Sequence, residues 1–206
     1  MGAPRKYPRV TPGEQCSGHG PTALPTVSTV IVREATDQDR THIYPFFSAI
    51  VAAGDTYAYP EHLSLEQARS LWMEAPPGRT VVAVDGDTIV GSAKMGPNRP
   101  GRGSHVATAS FMVDPSRAGR GVGQALGEDV LAWDRSTGYR SMQFNAVVAT
   151  NTGAVRLWQP LGFQILTTVP DAFDHREHGL VGLHIMFQSL ATDEHADHTL
   201  ERSPSR

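Results

Sequence analysis

Apolar residues fall into short runs separated by glycine, proline and acidic residues, and the runs alternate between strand-like and helix-like spacing. Residues 28–33 (Ser-Thr-Val-Ile-Val-Arg) read as a first strand. Thr36-Asp-Gln-Asp39 resembles a capping box with Asp in place of Glu, and predicts a helix from there to about Ala53. Pro45 lies inside that helix, so a kink or a late start is expected. Ser64 caps a second helix over 65–73. Strands over 80–84 and 88–94 flank Asp85-Gly86-Asp87, a hairpin signal. A strand over 105–113 ends at Asp114-Pro115 and is followed by a helix from Gly119 to about Thr137. A strand over 141–148, a short helix over 151–159 and strands over 163–169 and 180–188 complete the pattern. The implied fold class is mixed α/β: one mixed sheet of about seven strands flanked by about four helices.

Composition narrows the partners. Of 206 residues, 39 % are hydrophobic and 19 % charged, ordinary for a chain that buries one core. The 18 basic and 21 acidic residues give a net charge of −3 with no long run of either sign, which argues against a nucleic-acid or anionic-membrane binder. A single cysteine, Cys16, excludes an internal disulfide. No stretch approaches the roughly 18–20 apolar residues that span a bilayer. The first twenty residues lack the apolar core of a signal peptide, and Lys6 stands where myristoylation favours Ser or Thr. A cytoplasmic protein is expected.

The ends read as tails. Residues 1–27 carry five prolines (Pro4, Pro8, Pro12, Pro21, Pro25) and few large apolar side chains, and 191–206 are polar, with His195 and His198 read as solvated. One domain over 28–190 is expected between them.

The most informative stretch runs Val113-Asp-Pro-Ser-Arg-Ala-Gly-Arg-Gly-Val-Gly-Gln-Ala-Leu126, from a strand through a turn into a helix, with Gly119, Gly121 and Gly123 at alternate positions. Glycines let backbone approach a ligand, and amides at a helix start form a cradle for an anion such as pyrophosphate. Arg117 and Arg120 can add charge at its rim. A nucleoside-triphosphate loop would need a Gly-Lys-Ser/Thr ending, and no lysine lies nearby. A dinucleotide fold would place the glycines after the first strand and an acidic residue about 20 positions on, where this chain has Gln143. A phosphate-bearing carrier such as coenzyme A remains.

This segment resembles the acyl-CoA-binding motif of the GNAT superfamily of N-acetyltransferases, Arg/Gln-x-x-Gly-x-Gly/Ala. Ala118-x-x-Gly121-x-Gly123 occupies the frame, with Ala118 at the usual Arg/Gln position. The run Asn151-Thr-Gly-Ala154-Val-Arg-Leu157-Trp158-Gln-Pro-Leu161-Gly162-Phe163 is similar to the superfamily's Asn-x-x-Ala-x-x-Leu-Tyr-x-x-x-Gly-Phe element. Together the two motifs imply the GNAT fold, in a resemblance that covers roughly residues 29–190, and acetyl-CoA as co-substrate. The resemblance implies cofactor contacts from Met112, Val113, Ala118, Gly119, Arg120, Gly121, Val122, Gly123, Gln124, Asn151, Ala154 and Trp158. Main-chain groups near Phe111, Met112 and Val113 would pair with pantetheine, and one amide would hold the thioester oxygen in a gap between strands four and five.

The resemblance further implies attack of a neutral amine on the thioester through a tetrahedral intermediate. Many members carry a glutamate on strand four, but residues 104–113 hold no carboxylate, so water-relayed deprotonation is expected. His105 is the titratable group there and reads as a surface histidine. Trp158 stands where members often have tyrosine; its indole donates a hydrogen bond but is no acid.

Gln143, Asn145 and Val147 are expected on one face of strand five. The run Phe144 to Asn151 resembles the fungal acetyltransferases of proline-like imino acids, in which the matching asparagine faces substrate. Asn145, Trp158 and Tyr57 are therefore the candidates for catalytic positions. Tyr57, Tyr59, Phe111, Asn145, Phe173 and His175 are those for the acceptor pocket, with residues 170–178 as one wall. His175, His178 and His184 suggest a metal site on paper, but no Cys or third well-spaced ligand supports one, and no metal is expected.

The expected function is transfer of acetyl from acetyl-CoA to a small amine or amino-acid-like acceptor, with no nucleic-acid or membrane partner and with a homodimer left open. Two alternatives stand beside it. One is a protein lysine or N-terminal acetyltransferase, which an extended acidic groove would favour. The other is a non-catalytic acyl-CoA-binding sensor, kept open by Ala118, Trp158 and the missing strand-four glutamate.

Overall fold

A computed structural model describes residues 30–191; the expectations for the tails, Cys16, His195 and His198 lie outside the described residues. Seven strands form one sheet in the order β1-β2-β3-β4-β5-β7-β6. They are β1 (Ile31–Glu34), β2 (Arg79–Asp85), β3 (Thr88–Pro97), β4 (Val106–Val113), β5 (Ser141–Val148), β6 (Gln164–His175) and β7 (Gly179–Ser189). All neighbours pair antiparallel except β4 and β5, which are parallel. The helices are α1 (Arg40–Ala53), α2 (Leu65–Trp72), α3 (Val122–Thr137) and α4 (Thr152–Trp158).

Period-two alternation divides the strands between two cores. Val82 and Met112 face α1 and α2, meeting Phe46, Phe47 and Trp72. Val81, Ala93, Ala107, Met142 and Phe144 face α3 and α4, meeting Leu126, Val130 and Trp158. The expected capping box at Thr36 forms, and the expected Ser64 cap proves to be part of a second box. The Asp39 carboxylate accepts from Thr36 N (2.6 Å), and Ser64 Oγ accepts from Gln67 N (3.3 Å). After the first box a 3-10 turn over Asp37–Asp39 precedes α1, so the helix starts late and Pro45 falls in its second turn. Trp72 fastens α2 to the sheet by donating from Nε1 to Ser92 Oγ on β3 (2.9 Å).

Two expectations change. β6 runs on through Pro170 and Asp171 to His175, so most of the presumed loop is strand. Proline is tolerated there because β6 is the sheet's edge, where one row of N–H groups has no partner strand. Between Phe144 and Val147, β5 carries an extra residue relative to β7, a bulge that sets Phe144 opposite Met186 and Val147 opposite His184. Val147 consequently joins the face of Phe144 rather than that of Asn145.

Candidate active site

The sheet parts in its middle. β4 and β5 pair only at Val106–Ser141 and Ala107–Met142, and beyond that they diverge. Asn98 N donates to Val106 O (2.7 Å) and Asp114 N to Val90 O (2.9 Å), which fixes the phase of the β3–β4 ladder. By alternation the main-chain groups of Thr108, Ser110 and Met112 point to β3, while those of Ala109, Phe111 and Val113 point into the gap. Phe111 and Val113 thus turn their backbone into the gap, where a pantetheine arm would run. Met112 is placed otherwise than expected: its amide belongs to the ladder and its side chain is buried beneath α1 and α2.

The gap opens into a cavity of about 310 Å³ lined on one side by Tyr57, Tyr59 and Phe111 and on the other by Asn145, Asn151, Ala154 and Trp158. Tyr57 donates its hydroxyl proton to Phe111 O (2.7 Å) and accepts from Phe111 N (3.1 Å). Its ring is held by stacking on Tyr59 (5.5 Å between centroids) and edge contact with Trp72 (6.0 Å). Burial, with the Tyr59 phenol close by, holds the Tyr57 hydroxyl far above the usual phenol range, so it stays protonated.

At the other wall Trp158 is buried against Phe111 (4.5 Å between centroids) and Phe144 (5.0 Å). α3 comes close enough that a Cβ on Gly127 would stand 3.0 Å from the Trp158 ring. Asn151 caps α4 as its motif suggests, accepting from Ala154 N (3.0 Å).

Asn145 lies at the centre of an amide cluster. It accepts from Gln143 Nε2 (2.8 Å), donates to Asn98 Oδ1 (2.7 Å), and has Thr108 Oγ1 at 3.4 Å. Asn98 was not anticipated, because the β3–β4 connection that carries it shows no distinguishing motif.

The glycine loop ends in the expected helix start. Gly119 and Gly121 both have positive φ (76° and 79°), and a Cβ on either would meet nothing within 4 Å. Ala125 is the first residue of α3 whose amide bonds back, to Gly121 O (3.0 Å), so the amides of Val122, Gly123 and Gln124 point out of the helix end. Arg120 is exposed with no partner among the described residues, whereas Arg117 lies 3.4 Å from Asp85. The Gln124 side chain turns away to Glu128 (2.9 Å), and a Cβ on Gly123 would meet the end of the Leu157 side chain at 2.9 Å. The open glycines and unbonded amides fit a pyrophosphate, and the parted strands fit an extended arm.

Phe173 and His175 do not join this site. Both are buried at the β6–β7 turn, where His175 Nδ1 accepts from the amides of Glu177 (3.1 Å) and His178 (3.3 Å). The neighbouring Arg176 ties that turn to the end of α1 by donating to Ala53 O (3.1 Å). Among the described residues no group of three or more His, Cys, Asp or Glu could hold a metal, and none of the helices is long and apolar enough to cross a membrane.

An anion cradle at one end of a parted sheet and an amide-lined pocket at the other suit an enzyme that binds a phosphate-bearing acyl carrier. The chain belongs to the acetyltransferase (GNAT) family, whose model matches residues 40–163. It is 35 % identical over 97 residues to the N-acetyltransferase aca1 of Schizosaccharomyces pombe, a match covering 47 % of this chain and 46 % of that protein. The chain thus spans about half the length of that curated relative. A GNAT N-acetyltransferase from Kribbella flavida shares 58 % identity and a TM-score of 0.75, over 78 % of this chain and 97 % of that one. A phosphinothricin acetyltransferase from Sinorhizobium meliloti, solved in complex with acetyl-CoA, shares the fold at 21 % identity and a TM-score of 0.71, over 85 % of this chain and all of that one.

Proposed function

We propose that this protein transfers acetyl from acetyl-CoA to a small, amino-acid-like amine that enters the gap from the α1–α2 side. The observation that carries this reading is the Asn145 cluster, a set of uncharged donors and acceptors at the point where β4 and β5 diverge.

Acetyl-CoA supplies the thioester. The α3 amides of Val122, Gly123 and Gln124, with Arg120, would hold its phosphates, and the gap-facing backbone of Phe111 and Val113 would hold its arm. A fixed amide aimed at the thioester oxygen favours the charge that develops there during attack. The Phe111 amide is such a donor once Tyr57 yields it.

The amine must lose a proton before it attacks, since free amines are mostly protonated near neutral pH. β4 brings only Thr108 and Ser110 to the acceptor side, so the proton leaves through water or to a group outside the strand. Asn145 and Thr108 orient the acceptor without placing a charge beside the reacting nitrogen. Trp158 closes the far wall, and thiolate, with a parent thiol pKa of roughly 8.5, departs without needing an acid.

The test is acceptor-dependent thiol release from acetyl-CoA across amines, amino acids, proline analogues, aminoglycosides, peptides and proteins. Release with amino-acid-like acceptors supports the reading. Release only with peptides or proteins overturns it.

A further inference from the structure

On the α1–α2 side a second cavity, of about 360 Å³, shares Tyr59, Thr108, Ser110 and Asn145 with the first, and among the described residues its charged liners are Lys94 and Glu74. Lys94 stands on β3 directly across from Ser110. Its Nζ donates to Leu71 O at the end of α2 (2.7 Å) and to Glu74 Oε1 (2.9 Å). The ammonium side chain is only 19 % exposed. An ammonium carries three donors, so one remains after these two bonds.

We propose that Lys94 is the anion-binding residue of the acceptor pocket, and that it selects an amine that also bears a carboxylate, an amino or imino acid. The inference rests on the acetyltransferase reading of the gap and names the substrate class within it. Among the described residues no other cation lines either cavity, so a carboxylate brought in with the amine has Lys94 as its cationic partner there. Leu71 O and Glu74 hold the ammonium in place before substrate arrives, so little side-chain entropy remains to be lost on binding. Glu74 keeps the pair neutral overall. A zwitterion is therefore favoured over a bare anion, which would meet the repulsion of Glu74 along with the attraction of Lys94.

Lys94 also closes the end of α2 through Leu71 O, as basic side chains often do. A purely capping role accounts for that bond and makes no distinction among acceptors. The two roles separate experimentally.

The protein amino acids, each beside its carboxamide, are assayed as acceptors by kcat/KM, with acetyl-CoA affinity and Tm recorded for every variant. Wild type is expected to favour the best acid over its carboxamide by roughly 10- to 100-fold, the range of one charge-assisted hydrogen bond. Lys94→Met collapses that ratio toward one through KM for the acid, and Lys94→Arg restores part of it. Glu74→Gln widens it by removing the repelling carboxylate. Equal use of acid and carboxamide by wild type overturns the inference and leaves the small-acceptor reading standing. A Lys94→Met variant with a lower Tm and an unchanged ratio likewise overturns it and assigns Lys94 to capping. Acetyl-CoA binding without acetylation of either acceptor type overturns the small-acceptor reading itself, and the inference with it.

Discussion

Tyr57 and Phe111, 54 positions apart, are joined by two hydrogen bonds through one hydroxyl, which engages both the amide and the carbonyl that Phe111 turns toward the gap. The phenol thus covers the same backbone that an incoming acyl arm would use. Tyr57→Phe removes both bonds, at about 1 kcal/mol each, and uncovers the amide. The variant is expected to lose stability by roughly that amount while binding acetyl-CoA as tightly as wild type or more tightly. Thermal denaturation and calorimetric titration check this, and an affinity loss beyond about tenfold would show that Tyr57 itself contacts the coenzyme.

Gly127 sits in the middle of α3, where glycine normally costs about 0.5–1 kcal/mol relative to alanine. Its neighbours explain it: a Cβ would come 2.9 Å from Leu161 and 3.0 Å from the Trp158 ring. Gly127→Ala is therefore expected to destabilise the protein despite the gain in helix propensity, and Gly127→Val to cost about 1–3 kcal/mol by forcing Trp158 from its place. Chemical denaturation of the two variants gives the sign. A more stable Gly127→Ala variant would mean that α4 moves aside freely.

Much of this site was legible because it is written in local chemistry. The glycine turn before α3, the Thr36 capping box and the Ser64 cap are sequence-contiguous devices, and each forms where its residues predict. Features set by partners distant in sequence were not legible. Strict alternation put Val147 beside Asn145, and the bulge that reverses it exists only in the pairing of β5 with β7. Pro170 and Asp171 looked like loop, yet an edge strand accepts them. Lys94 and Glu74 carry no motif, and only the register of β3 on β4 and the end of α2 bring them to the acceptor side.

Asp134 on α3 is completely buried, and among the described residues neither of its carboxyl oxygens has a hydrogen-bond partner. Burial pushes its pKa up to about 7, with Arg135 pulling weakly the other way. The unfolded chain releases this proton near pH 4, whereas the folded protein keeps it to about pH 7. Between those values the folded state binds more protons, so stability falls as pH rises and levels off above about 7. The group's share of that fall is of order 4 kcal/mol, at roughly 1.4 kcal/mol per pH unit. Asp134→Asn is expected to flatten the curve and to be more stable than wild type at pH 8. Denaturant unfolding across pH 4–8 checks it, and an unchanged slope would mean that Asp134 is charged in the folded protein.

In the proposed function the α3 start holds the coenzyme and the Asn145 cluster, across the gap, holds the acceptor. Calorimetric titration of acetyl-CoA into wild type, Gly121→Asp and Asn145→Ala, with turnover measured on the same samples, tests it most directly. Gly121→Asp sets a carboxylate against the unbonded α3 amides and is expected to abolish binding. Asn145→Ala is expected to bind acetyl-CoA as wild type does while kcat/KM for the acceptor falls by about 10- to 100-fold, the equivalent of one or two lost hydrogen bonds. Undiminished affinity in Gly121→Asp, or equal loss of binding and turnover in Asn145→Ala, would contradict the account.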